Sequence, residues 1–431
     1  MNRHIAYTNA RLIDPASGLD TVGGLLTADG TIAEVGATIF ADGAPGDALV
    51  VECAGKVLAP GLIDMRVMLC QPGAEHKEDI ASACAAAAAG GVTSVVALPN
   101  TQPAIDDVAV LEFVARRARE VRLVKVYCHA AMTRGAQGRE ITEMGLLKEA
   151  GALSFTDGQR TVAEARVLAR AMQYATAFDA IIMQHPEEPT LAAGGDMNAG
   201  ELATRLGLAG IPPAAEILVL DRDLTLVEMT GTRYHAGHIS TAAAVECMRR
   251  AKARRLPVTC DTAPHYFALN ELAVGDYRTF AKVSPPLRGE ADRQAIVQGL
   301  ADGTIDAIAS DHTPQDQDSK RLPFAQAEPG IVGLETLLPL SLELVHNGRL
   351  SLIDAIDKMT RMPADLLGLP TGRLTIGAPA DLVLFDPDAP GRIEVDRFRS
   401  KSKNSPFDGR LTQGRVLRSV VDGRTVFEAE E

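Results

Sequence analysis

Eight short apolar runs, each closing on a polar residue and each followed by a stretch of helical character, constrain this chain more than any other feature. The runs are Gly61–Leu69, Val92–Leu98, Lys125–Met132, Ala152–Phe155, Ala180–Gln184, Thr232–Gly237, Pro257–Ala263 and Ile305–Ser310. Continuous apolar runs of this length suit strands buried on both faces, and the helical spacers suit right-handed crossovers between parallel neighbours. Eight such units predict an α/β fold of the TIM (β/α)8 barrel type in preference to an open doubly wound sheet. After the first run, Asp79 to Gly90 is a strong helix-forming, alanine-rich segment that ends in glycine, as a crossover should.

The two ends of the chain read differently. Ile5–Thr8, Gly24–Thr27 and Thr31–Val35 near the start, and Ala380–Phe385, Val416–Val421 and Thr425–Phe427 near the end, are β-prone pieces separated by Asp-Pro, Asp-Gly and glycine turns. This pattern predicts one small composite β domain contributed by residues 1–56 and 361–431, with the barrel spanning 57–360. At 431 residues the chain exceeds a single ordinary core, which agrees with that division.

Composition narrows the function. A formal charge of −13 disfavours nucleic acid or an anionic membrane as partner. The start, Met1–Tyr7, lacks the apolar stretch of a signal peptide, and no apolar run is long enough to span a bilayer, so a cytoplasmic location is expected. The six cysteines, Cys53, Cys70, Cys84, Cys128, Cys247 and Cys260, form no C-x-x-C pair and read as reduced, mostly buried thiols.

In a barrel the chemistry sits at the C-terminal ends of the strands. The fourth run closes at Asp157, the fifth at His185, the sixth at His238, the seventh at His265, and the eighth at Asp311 and His312. Two arrangements use these groups. In one, His185, His238 and Asp157 hold at most one zinc ion, and Asp311 takes the proton of its water and returns it to a leaving amide nitrogen. In the other the metal pocket is empty, and Arg66, on the first run, neutralises Asp157 or Asp311 from inside the barrel.

Several segments resemble the dihydroorotase family of cyclic amidohydrolases across nearly the whole chain. They include Leu58–Asp64, Gly90–Thr101, Ser154–Gly158, His238–Glu246, Ala263–His265, Lys282–Arg288, Ser310–Pro314, Gly330–Glu335 and Ser400–Phe407. The resemblance implies an amidohydrolase-type barrel acting in pyrimidine biosynthesis. It assigns metal or catalytic positions to His185, His238, Asp157 and Asp311, and a substrate-contacting amide to Asn100. It also exposes departures. The family's His-x-His on the first strand is replaced by Arg66 and Met68, neither of which matches imidazole as a zinc ligand. Cys70 stands in place of an arginine that forks onto a substrate carboxylate, Ser284 in place of an asparagine, and Gln315 in place of a histidine. The pattern resembles the catalytically silent homologues that partner aspartate transcarbamoylase. It implies an impaired or inactive scaffold, itself a homo-oligomer, with an active one-zinc enzyme as the alternative.

Overall fold

The computed structural model describes residues 4–430; residues 1–3 and 431, at the outer ends of the two β-rich segments, lie outside the described residues. Five strands come first: β1 (Ile5–Asp14), β2 (Leu19–Ala28), β3 (Thr31–Gly36), β4 (Leu49–Glu52) and β5 (Val57–Pro60). Then come β6 (Leu62–Val67), β7 (Val92–Ala97), β8 (Lys125–Cys128), β9 (Ser154–Phe155) and β10 (Ile181–Gln184), followed by the short pair β11 (Met197–Asn198) and β12 (Gly210–Ile211). The chain continues through β13 (Arg233–Ala236), β14 (Val258–Thr262) and β15 (Ala307–Ile308), and ends with β16 (Leu382–Arg392), β17 (Leu411–Val421) and β18 (Arg424–Glu428).

The eight expected barrel strands are β6, β7, β8, β9, β10, β13, β14 and β15. Parallel ladders join β6–β7–β8 and β9–β10–β13–β14–β15. Single parallel bridges, Ala130 with Phe155 and Val67 with His312, connect the two sets and close the ring. All six residues of β6 are buried, as are all of β7, because helices cover the outside and side chains fill the inside. The helix Ile80–Ala89 follows β6 with Asp79 as its N-cap, in a reciprocal capping box with Ser82, and Gly90 as its C-cap.

The two ends of the chain meet in one sheet of order β18-β17-β16-β5-β1-β2-β3, with β4 pairing β1. The junction is antiparallel, from Leu382 opposite Pro60 to Phe385 opposite Val57. Tyr7, Leu12, Leu25, Leu58, Leu382 and Leu384 share its core.

The domain edges differ from those read off the sequence. Residues 57–60 pair within the small sheet, so the barrel begins at Leu62; a buried four-residue apolar strand carries the same signature in either place. Gly61 marks the crossing, since a Cβ there would meet Thr93 Oγ1 at 2.2 Å. Beyond Thr360, the helix Arg361–Leu367 packs Ala364 and Leu367 with Ile63, Met65 and Ala307, so it belongs with the barrel. All six cysteines are free and buried. No helix among the described residues is long and apolar enough to cross a membrane.

Candidate functional site

Arg66 lies on β6 with 1% of its surface exposed, one of the largest fully buried side chains in the molecule. It points into the barrel, but its partner is neither Asp157 nor Asp311. Its Nε lies 2.9 Å from Nε2 of His238, in line for a hydrogen bond. The guanidinium fits because residue 237 is glycine: a Cβ there would come within 2.3 Å of Arg66 Nη1.

His238 is the hub. Its Nδ1 is 2.7 Å from Asp261 Oδ1 and its Nε2 is 2.9 Å from Asp311 Oδ1, both ionic contacts. Asp261 also accepts the His238 backbone N–H at 2.6 Å and pairs with His235 Nε2 at 3.1 Å, while His235 Nδ1 reaches Thr259 Oγ1. Nε2 therefore has two claimants, because Arg66 Nε–H needs its lone pair and Asp311 needs a proton on it. Charge decides between them. A protonated ring brings Arg66, His238, Asp261 and Asp311 to a formal sum of zero, whereas a neutral ring leaves net negative charge buried. Burial opposes that proton, but Asp311 and Asp261 outweigh it and lift His238 to about 9, with Arg66 pulling the other way. Burial would likewise raise Asp261, yet His238 and His235 hold it well below the usual carboxylate range. His238 and Asp311 both adopt left-handed backbone, φ 57 and 51, a conformation residues with side chains pay to hold and one that gathers at functional sites.

His265 Nε2 stands 4.0 Å from Asp311 Oδ2 with no hydrogen-bond partner, and burial pushes its ring down to about 4. His185 faces another group. Its Nε2 is 3.2 Å from Ser284 Oγ, which donates to Glu187 Oε2 at 3.0 Å, and its Nδ1 is buried without a partner. Asp157 is saturated by Thr133, whose N–H and Oγ1 donate at 2.9 and 2.5 Å; desolvation raises this carboxyl above its ordinary value. Asn100 donates to the Asp157 carbonyl and accepts from Gln159 N–H.

Two model matches cover much of the chain: a "Dihydro-orotase-like" family over residues 55–244 and an "Amidohydrolase family" over residues 337–427. A protein named dihydroorotase from Anaplasma phagocytophilum is 47% identical over 429 residues, 99% of this chain and 96% of that one. Another of that name, from Geotalea daltonii, is 46% identical and covers 99% of this chain and 100% of that one. The chain belongs to the dihydroorotase family. Among solved structures, the L-hydantoinase (dihydropyrimidinase) of Arthrobacter aurescens superposes with a TM-score of 0.89 at 26% identity, covering 100% of this chain and 97% of that one. The dihydropyrimidinase of Brevibacillus agri, at 22% identity and TM-score 0.83, shares the fold. The architecture is thus the amidohydrolase barrel with its small β domain.

Within that family frame, a resident metal can be tested against the side chains present, and they do not fit one. With the ring protonated, Nε2 of His238 carries a proton toward Asp311 and has no lone pair to give, and Nδ1 faces Asp261. Asp157 is held by Thr133, and His185 Nδ1 is buried without a partner. No three His, Cys, Asp or Glu side chains among the described residues are grouped to hold a metal ion. Met68 is half-buried.

The other dihydroorotase-family departures have structural partners. Cys70 is buried at φ 58, its thiol pushed up to about 12 by desolvation. Gln315 accepts from Lys77 Nζ at 2.7 Å and donates to the Pro329 carbonyl. The Ser400–Phe407 segment straps the barrel mouth. Ser400 Oγ and the Lys401 N–H bind Glu78, Asn404 Nδ2 bridges the Thr313 and Gly330 carbonyls at 3.0 Å each, and Glu78 lies 3.5 Å from His312 Nε2.

Asp261, His235, Glu187 and Glu78 escape a reading confined to strand ends. Asp261 sits inside its apolar run, and only the Cys260-Asp261-Thr262 interruption signals it.

Proposed function

We propose that this chain is a dihydroorotase homologue of pyrimidine biosynthesis, impaired or inactive as a catalyst, that acts in the cytoplasm as a scaffold for aspartate transcarbamoylase. The observation carrying this reading is the His238 ring closed in by Arg66, Asp261 and Asp311, which together deny it to a metal. Cys70 adds to it, because a buried thiol cannot supply the charged fork that an arginine offers a substrate carboxylate. Identity of 46–47% over essentially the full length supports a retained fold.

Co-expression with aspartate transcarbamoylase from the same cell, followed by size-exclusion chromatography and a carbamoyl-aspartate cyclisation assay, tests both halves. Co-elution with no useful turnover is expected. Separate elution together with robust turnover by the isolated chain overturns the proposal.

A second reading is an active dihydroorotase using one zinc held by His185, His238 and Asp157, with Asp311 as base. The names of the relatives and the unpartnered Nδ1 of His185 favour it. It requires Arg66 to leave Nε2. Zinc content near one per chain, with turnover lost on chelation, would establish it.

A further inference from the structure

We propose that Arg66 is a built-in cation that takes over the structural place of a divalent metal, secured by Gly237, so that the barrel folds and persists without metal. This rests on the reading that the metal pocket is lost, but it concerns the integrity of the fold and stands independently of any partner.

Geometry carries the inference. Deep in the barrel His238 links Asp261, 2.7 Å from its Nδ1, to Asp311, 2.9 Å from its Nε2, and Asp261 also meets His235 Nε2 at 3.1 Å. Two buried carboxylates flanking one imidazole need positive charge close by, because isolated charge in a low-dielectric interior is costly. Arg66 brings it covalently, from β6, with its Nε 2.9 Å from His238 Nε2. Guanidinium suits the task because it stays protonated at any workable pH.

Gly237 is the positioning residue. Its backbone is not left-handed, so alanine is conformationally allowed there, yet the added methyl carbon would collide with Arg66 Nη1 at 2.3 Å. The collision is with the guanidinium itself, with the Gln184 carbonyl at 3.4 Å in ordinary contact. The cost of Gly237→Ala is therefore conditional on residue 66 being arginine.

The test is a mutant cycle on the full chain, read by thermal unfolding with and without EDTA and by metal content after purification. The wild type is expected to carry well under one divalent metal per chain and to show the same Tm in both conditions. Arg66→Met and Gly237→Ala should each lower Tm by on the order of 5 °C, and the double variant should fall little further than Arg66→Met alone. Arg66→His with Met68→His should take up added zinc and become EDTA-sensitive. Stoichiometric metal in the wild type with an EDTA-sensitive Tm overturns the proposal, as does an Arg66→Met variant as stable as the wild type. Equal cost of Gly237→Ala in both backgrounds removes its positioning role. If neither single variant folds, Arg66→Lys, which keeps charge but loses the fork, is expected to fold with an intermediate Tm; a Tm equal to the wild type's would count against guanidinium placement. Failure to bind aspartate transcarbamoylase would leave every one of these outcomes unchanged.

Discussion

His238 behaves as one corner of a charge quartet, and its titration has a definite sign. Its folded value, about 9, lies above the ordinary 6.5. The stabilisation it contributes is therefore fully present below about 6.5 and is lost as pH rises through about 9, a swing on the order of 3 kcal/mol. Urea denaturation at several pH values should show stability declining from neutral to alkaline pH, with the decline absent in His238→Gln; parallel profiles would refute the assignment. Asp261 is the more expensive residue to change, since it meets His235, His238 and a backbone N–H at once. Asp261→Asn is expected to cost roughly 3–5 kcal/mol by leaving buried cations short of a counter-charge. A loss under 1 kcal/mol in the same denaturation experiment would contradict that. Sequence alone located His238 and Arg66 but paired the arginine with a carboxylate. Charge favours that choice in isolation; what it misses is that Thr133 already holds Asp157, while Asp311 lies against the His238 ring.

At the level of elements, the barrel strands were legible because they are buried on both faces and read as unbroken apolar runs with polar ends. That signature has no way to distinguish β5 from a barrel strand, since Val57–Pro60 is fully buried too. Only its pairing with β16 assigns it to the small sheet. The strap was legible as a motif, whereas its contacts, 325 residues away in sequence for Ser402 with Lys77, were not. Asn404 is its anchor, donating to two loop carbonyls and accepting from Gln315 N–H. Asn404→Ala should cost about 2–4 kcal/mol by stranding these buried groups. Hydrogen exchange should quicken at Gln315 and Val332, whose N–H groups bond to residue 404. Unchanged protection at both sites would show that the strap is held elsewhere.

Across the whole molecule, the small sheet depends on both ends of the chain. β16 covers one edge of β5, and β17 and β18 extend the sheet outward. Val383 and Phe385 reach the barrel core, and Ser419 Oγ donates to the Ala88 carbonyl at 2.6 Å. Truncation after residue 379 is therefore expected to yield insoluble or protease-sensitive protein, because it bares β5 as an unpaired edge and uncovers the helix after β6. A truncated chain with wild-type solubility and Tm would contradict this coupling.

The same sheet imposes an order of events during synthesis. A ribosome delivers β1 to β5 first and β16 to β18 last, with more than three hundred residues of barrel between Pro60 and Leu382. The N-terminal half of the small domain must therefore wait, its β5 edge open, while the barrel emerges and closes. The final strands then act as a latch: a chain released early lacks Val383 and Phe385 from its barrel core and carries an exposed strand, the kind of surface that chaperones and proteases recognise.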